Sequence, residues 1–324
     1  MKILFCDEGY EESRVRLAPL LPGWEIAACA RTDVADNVGG ADVVVPYFAA
    51  VTADVLQRGH FGLVQQFGVG LDSVDVEAAT GAGVWVARIP SDVSGNADSV
   101  ADHALLLMLM LSRRIRDCEA ALVDRRLGEP AGSALRGKTA CIVGLGNVGK
   151  ALARRLAACR MNVIAVRRRP EEDGRPKDVD AVYRIDHLHA ALSQADYVIL
   201  CVNHAAQSRH LFDVAAFAAL KPGAYLINIA RGALVDSDAL LAAFESGTLS
   251  GAGLDVFEGE PVDPRHPIFG FNAIVTPHVA GVTDDSYSGI ATAFATNVRR
   301  YAVGKAPRYA INRPAAPRGL TPKG

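Results

Sequence analysis

Three polar residues stand immediately after apolar, strand-like runs in the C-terminal half of the chain. They are Arg231 in Asn228-Ile229-Ala230-Arg231-Gly232-Ala233-Leu234-Val235-Asp236, Glu260 in Asp255-Val256-Phe257-Glu258-Gly259-Glu260-Pro261, and His278 in Thr276-Pro277-His278-Val279-Ala280-Gly281. A histidine titrates close to neutral pH and suits a proton donor. A carboxylate beside it favours the imidazolium form. An arginine can hold a substrate carboxylate and polarise a carbonyl through charge-assisted bonds. Taken singly, each has an ordinary reading: a strand-end ion-pair partner, a loop carboxylate, an imidazole bonded to backbone. The chain holds eight histidines, so no one of them is informative alone.

A second stretch carries different chemistry. Thr139-Ala140-Cys141-Ile142-Val143 reads as a buried strand, and Gly144-Leu145-Gly146-Asn147-Val148-Gly149 follows it as a G-x-G-x-x-G turn. Ala151, Leu152, Leu156 and Ala157 then fall at helical spacing. In such a unit Gly144 permits a tight turn, Gly146 lets a pyrophosphate approach the backbone and Gly149 lets the helix pack on the strand. The amides at Asn147 and Val148, at the positive end of the helix dipole, suit phosphate oxygens. Placed between a strand and a helix, the pattern predicts a dinucleotide site. The next strand, Asn162–Val166, ends at Arg167-Arg168-Arg169-Pro170. An NAD site usually carries Asp or Glu there, bonded to the ribose 2′-hydroxyl. A carboxylate would repel a 2′-phosphate, whereas guanidinium groups can grip it. The arginines therefore predict NADP(H); a solvated basic turn, with NAD(H) as cofactor, stays open.

Those residues need a scaffold, and the composition allows a large one. At 324 residues the chain is long enough for two domains with full cores. A hydrophobic fraction of 50%, a charged fraction of 22% and a net charge of −2 fit a globular protein and argue against general attraction to nucleic acid or membranes. Six scattered cysteines read as buried thiols of a reducing cytosol. The longest apolar run, Ala104 to Leu111, is too short to span a bilayer. Strand-like runs at Lys2–Cys6, Trp24–Ala28, Val43–Val45, Leu63–Phe67 and Val84–Ala87 alternate with short helical patterns, and the alternation resumes after residue 139. This predicts an α/β protein of two doubly wound parallel-sheet domains, Rossmann- or flavodoxin-like. One is discontinuous, residues 1–98 plus 287–324, and the other covers 99–286. A helix from Asp98 to about Arg116 carries Val100, Ala104, Leu107, Met108 and Leu111 on one side and Leu106, Leu109 and Met110 on the other. Apolar nearly all round, it must be buried on both sides, which predicts a homodimer. The tail from Ala306, with four prolines, is expected to be extended or frayed.

The ordered set of segments resembles the D-isomer-specific 2-hydroxyacid dehydrogenase family. The resemblance rests on Phe67-Gly68-Val69-Gly70-Leu71-Asp72-Ser73-Val74-Asp75, Asn96–His103, the glycine fingerprint, Asn228–Asp236, Gly253–Pro261 and Thr276–Gly281. It implies an active-site cleft between the domains, Arg231 on the substrate carboxylate and carbonyl, and His278 as proton donor paired with Glu260. It further implies substrate-carboxylate binding by the amides of Val69 and Gly70, Asp255 on the nicotinamide carboxamide, and Cys201, Ser208, Ile229, Ala230 and Gly281 beside the cofactor. Departures are Asp102 where many members carry Glu, Arg167 in place of an acid, and Val202–Ser208, which lacks the usual proline-rich sequence. Glu260 speaks against a formate dehydrogenase, and no lysine follows Phe67, against a phosphite dehydrogenase. The loop Pro46-Tyr47-Phe48-Ala49-Ala50 is aromatic and uncharged, which disfavours a phosphorylated substrate. Tyr47 and Phe48 suit an apolar or aryl side chain, unless both rings pack as core. The expectation is an NADPH-dependent reductase of glyoxylate, hydroxypyruvate or a larger 2-keto acid, giving a D-2-hydroxy acid. Two alternatives remain: an NAD-linked D-2-hydroxyacid or phosphoglycerate-type dehydrogenase, and a non-catalytic, dinucleotide-sensing corepressor-like protein.

Overall fold

The computed structural model describes residues 1–170, 174–202 and 206–319. It divides into two compact units, Met1–Asn96 with Val282–Gly324, and Ala97–Gly281. In the first, β1 (Lys2–Phe5), β2 (Glu25–Ala28), β3 (Val43–Val45), β4 (Leu63–Gln65) and β5 (Trp85–Ala87) form one sheet in the order β2-β1-β3-β4-β5. In the second, β6 (Thr139–Val143), β7 (Asn162–Arg167), β8 (Ala181–Arg184), β9 (Tyr197–Leu200), β10 (Ala224–Asn228), β11 (Leu249–Leu254) and β12 (Ala273–Val275) run β12-β11-β10-β9-β6-β7-β8. Every strand pair in both sheets is parallel, so the fold class is the one expected.

Parallel strands need helical crossovers, and the helices bury both sheet faces. The residues of β6 divide accordingly: Cys141 and Val143 join one core, Ala140 and Ile142 the other. That is the two-residue alternation of a strand. In each sheet the order reverses once, between β1 and β3 and between β6 and β9. In doubly wound sheets a ligand binds beyond the strand ends at such a reversal.

The apolar helix after the first unit runs from Asn96 to Ser112, shorter than the Asp98–Arg116 span its pattern predicts. The Ser112 carbonyl accepts the amide of Ser133 (2.7 Å), and Arg114 takes a left-handed conformation (φ 52°). A separate helix, Ile115–Val123, follows. Val100, Ala104, Leu107, Met108 and Leu111 are buried against the second sheet, while Leu106 (47%) and Leu109 (40%) stay exposed in the single chain. Among the described residues no helix is long and apolar enough to cross a membrane. Through residue 319 the tail is extended and docked rather than frayed. Ala310 pairs antiparallel with Ala87, and the amides of Ile311 and Arg318 bond the carbonyls of Val86 (2.9 Å) and Gly83 (2.7 Å).

Gly253 of β11 lets that long helix lie close to the sheet. A methyl group there would stand 2.8 Å from Leu107 Cβ and 3.0 Å from Ile227 Cδ1. Gly253→Ala is therefore expected to destabilise the protein by about 1–3 kcal/mol in urea unfolding. Combined with Leu107→Ala, the loss should fall below the sum of the two single losses; strict additivity would contradict this packing account.

Candidate active site

The loops after β10, β11 and β12 carry Arg231, Glu260 and His278. The Asn228 side chain, 1% exposed, shapes the first: its Oδ1 accepts from Ala230 N (3.1 Å) and its Nδ2 donates to the Arg231 carbonyl (2.9 Å). Gly232 then allows the second loop to press against the first. A Cβ at Gly232 would lie 1.8 Å from the Phe257 carbonyl carbon and 2.3 Å from the Glu258 amide nitrogen. Within the second loop, Glu260 Oε1 accepts the Phe257 amide (2.9 Å), which leaves Oε2 directed at His278 Nδ1 (2.8 Å). Glu258 of the same loop is held from the segment after Ser208 by His210 Nε2 (2.9 Å) and Arg209 (2.6 Å).

His278 sits in a left-handed turn (φ 56°), a conformation that a non-glycine residue keeps only when its surroundings enforce it. The enforcement comes from Asp255, which is 1% exposed. Its carbonyl accepts the His278 amide (2.8 Å). Its carboxylate accepts the amides of Val279 (2.8 Å) and Ala280 (2.9 Å) and the Thr276 hydroxyl (2.6 Å). His103 Nε2 meets that hydroxyl at 2.9 Å. The Thr276 hydroxyl points its proton at Asp255, so His103 donates to it from Nε2. Asp255, expected beside a nicotinamide amide, thus already organises the histidine turn.

Burial alone would push the Glu260 carboxyl up. The bond and charge of His278, the Phe257 amide and the charge of Arg231 outweigh it and hold the group below the usual carboxylate range. Glu260 therefore stays ionised through neutral pH. The pair can steady an imidazolium whose Nε2 proton is available for transfer, with Nδ1–H kept on the carboxylate.

The glycine turn forms a cradle at the reversal point of the second sheet. Gly144 (φ 105°) passes 2.7 Å, at its Cβ position, from the backbone of Cys201 and Val202 beyond β9. Gly149 is equally constrained, 2.2 Å from the Gly144 carbonyl oxygen, so the helix Asn147–Ala158 starts tight against the strand. Gly146 differs: nothing lies within 4 Å of where its Cβ would be. That gap, with Asn147 and Val148 opening the helix, fits a dinucleotide phosphate. Arg167 is the last residue of β7, beside Arg184 of β8, and is half-buried, whereas Arg168 and Arg169 are exposed. Cys201 and Ser208 lie at the two ends of a loop whose residues 203–205 fall outside the described ones. Ile229 and Ala230, just before Arg231, are buried, and Gly281 ends the His278 turn.

In the first unit Val69 and Gly70 lie in the half-buried loop after β4. Tyr47 and Phe48, beyond β3, separate. Tyr47 is core, 9% exposed and stacked on Tyr10 with centroids 3.9 Å apart. Phe48 is 43% exposed, with the Arg31 guanidinium 5.3 Å above its ring. Sequence reading passed over Asn228, Gly232, Thr276 and His103. An amide residue closing a strand and a glycine directly after Arg231 were the available signals; the contacts of Thr276 and His103 are long-range and left none.

Residues 105–280 match the family model described as D-isomer specific 2-hydroxyacid dehydrogenase, NAD binding domain. A glyoxylate reductase of Thermococcus litoralis is 34% identical over 265 residues, covering 78% of this chain and 77% of that protein. A D-3-phosphoglycerate dehydrogenase of Archaeoglobus fulgidus is 32% identical over 282 residues, 84% of this chain, which spans only 51% of that longer protein. Among solved structures, the NADPH-dependent glyoxylate/hydroxypyruvate reductase of Sinorhizobium meliloti in complex with NADP and malonate superposes with a TM-score of 0.82 at 28% identity, over 96% of each chain. The chain belongs to the D-isomer-specific 2-hydroxyacid dehydrogenase family, as an NAD(P)-dependent oxidoreductase acting on the CH–OH group of 2-hydroxy acids.

Proposed function

We propose that this chain reduces a 2-keto acid to the D-2-hydroxy acid with NADPH as reductant. The observation that carries the reading is the Glu260–His278 bond on a loop packed against the Arg231 turn. When bound, NADPH supplies a hydride to the keto carbon. Arg231 holds the substrate carboxylate and draws charge onto the carbonyl oxygen, and the amides of Val69 and Gly70 give the carboxylate further donors. His278 protonates that oxygen from Nε2 while Glu260 stabilises the imidazolium. Residues 1–98 plus 287–324 take the keto acid, and 99–286 the dinucleotide.

Gly144, Gly146, Asn147, Val148 and Gly149 cradle the pyrophosphate. Cys201, Ser208, Ile229, Ala230, Asp255 and Gly281 line the rest of the cofactor site. Arg167, Arg168 and Arg169 receive the 2′-phosphate. What supports NADPH is a guanidinium at the end of β7, where an NAD enzyme places a carboxylate. The uncharged Pro46–Ala50 loop and the exposed face of Phe48 favour glyoxylate, hydroxypyruvate or a larger apolar 2-keto acid. Six free cysteines fit a reducing cytosol. A homodimer that covers Leu106 and Leu109 completes the reading.

The test is oxidation of NADPH and NADH over glyoxylate, hydroxypyruvate, pyruvate and phenylpyruvate, with the product configuration determined. Arg167→Glu should reverse a preference for NADPH, since each lost charge-assisted bond is worth about 1.5–3 kcal/mol, roughly ten- to a hundredfold. An unchanged KM for NADPH would reduce the arginines to surface charge. His278→Gln is expected to lower kcat about 10²–10⁴-fold. Because the Glu260 carboxyl is held below its ordinary range, Glu260→Gln removes a charge that is present at neutral pH and bonded to His278. The kcat for reduction should therefore fall roughly tenfold, the scale of one charge-assisted bond; an unchanged kcat would separate Glu260 from the proton donor. Sedimentation equilibrium should give twice the chain mass, and a fully active monomer would remove the dimer from the account.

A further inference from the structure

Two glutamines sit side by side in the first unit, both buried, and they point to different tasks. Gln65 (0% exposed) faces the C-terminal helix and tail: its Oε1 accepts from Asn297 (2.8 Å), and its Nε2 donates to the carbonyl of Gln66 (3.1 Å). Gln66 (5% exposed) turns to the loops at the sheet's carboxyl edge. Its Oε1 accepts the amides of Tyr47 (3.2 Å) and Phe67 (3.0 Å), and its Nε2 donates to the carbonyls of Tyr47 (3.0 Å) and Gly70 (2.5 Å).

The chemistry explains why a glutamine stands there. Tyr47 is left-handed (φ 49°), so its peptide groups leave the strand ladder and need another partner. A primary amide offers both a donor and an acceptor in one plane and stands in for a neighbouring strand. The same amide group reaches Gly70, beyond the next strand. One buried side chain thus joins the loop that presents Phe48 to the loop of Val69 and Gly70. Satisfying Tyr47 alone would need only two of its four bonds.

We propose that Gln66 is a positioning residue for substrate selection: by locking these two loops together, it sets the distance between the site for the substrate carboxylate and the wall that meets its side chain. The inference rests on the functional reading above, in which Val69 and Gly70 bind the carboxylate and Phe48 faces the side chain. Gln66 touches neither substrate nor cofactor and acts through those loops.

The test uses Gln66→Glu, which keeps both acceptor bonds and loses the donors, and Gln66→Asn, which keeps both functions one methylene shorter. Gln65→Glu, at the end of β4, is the control for a buried polar change at the adjacent residue. KM and kcat are measured for glyoxylate and phenylpyruvate, with NADPH affinity by fluorescence titration and Tm for folding. Both Gln66 variants should raise KM for the two acids about tenfold, the scale of one lost buried bond. The kcat/KM ratio of phenylpyruvate to glyoxylate should move by a similar factor, with NADPH affinity unchanged. Gln65→Glu should lower Tm and leave the ratio where it was. The proposal is overturned if folded Gln66 variants keep the wild-type ratio, if their defect lies in NADPH affinity, or if Gln65→Glu shifts the ratio equally. Should Gln66→Glu fail to fold, Gln66→Asn decides. A wild-type chain that reduces neither acid overturns the functional reading itself, which distinguishes the two failures.

Discussion

A buried carboxylate must find donors, and at Asp255 those donors give the candidate site its shape. Its two oxygens collect the amides of Val279 and Ala280 and the hydroxyl of Thr276, and its own carbonyl takes the amide of His278. The chain beyond β12 is thereby folded into a turn that holds His278 at a positive φ. Only in that turn does the imidazole meet Glu260, whose loop is brought near because Gly232 has no side chain. Remove the buried charge and the turn loses the groups that fix it. The histidine chemistry therefore depends on a residue with no direct bond to the imidazole.

The wider frame is the parallel sheet. Because all strands of each unit run one way, every loop that follows a strand lies on one edge of that unit's sheet. In the second unit that edge holds the glycine cradle, the Arg167 cluster and the loops of Arg231, Glu260 and His278. In the first it holds Tyr10, Tyr47, Phe48, Val69 and Gly70. Close packing is paid for with glycine: Gly144, Gly149, Gly232 and Gly253 each stand where a methyl group would strike backbone or core.

Much of this was legible in the sequence for one reason: period and punctuation are local properties. Runs such as Val43–Val45 and Ala273–Val275 announce strands, and G-x-G-x-x-G announces a turn between strand and helix. The positions of Arg231, Glu260 and His278 stood out because each follows such a run. What escaped depends on partners far away in the chain. The helix stops at Ser112 because Ser133 takes its carbonyl, and nothing in Arg113-Arg114-Ile115 marks the break. The tail is docked because β5 offers an edge. Tyr47 and Phe48 are neighbours with similar rings, yet one stacks on Tyr10 in the core and the other faces outward. No local pattern separates Gln65 from Gln66.

The proton donor proposed for the new hydroxyl is the Glu260-backed imidazolium of His278. Kinetic isotope effects test it most directly, one from NADPH deuterated at the transferred position and one from D2O, both on kcat/KM for keto-acid reduction. Two normal effects are expected in the wild-type protein, with the D2O effect lost in His278→Gln while the hydride effect persists. A D2O effect that survives unchanged without the histidine would mean that another group delivers the proton, and would contradict the assignment.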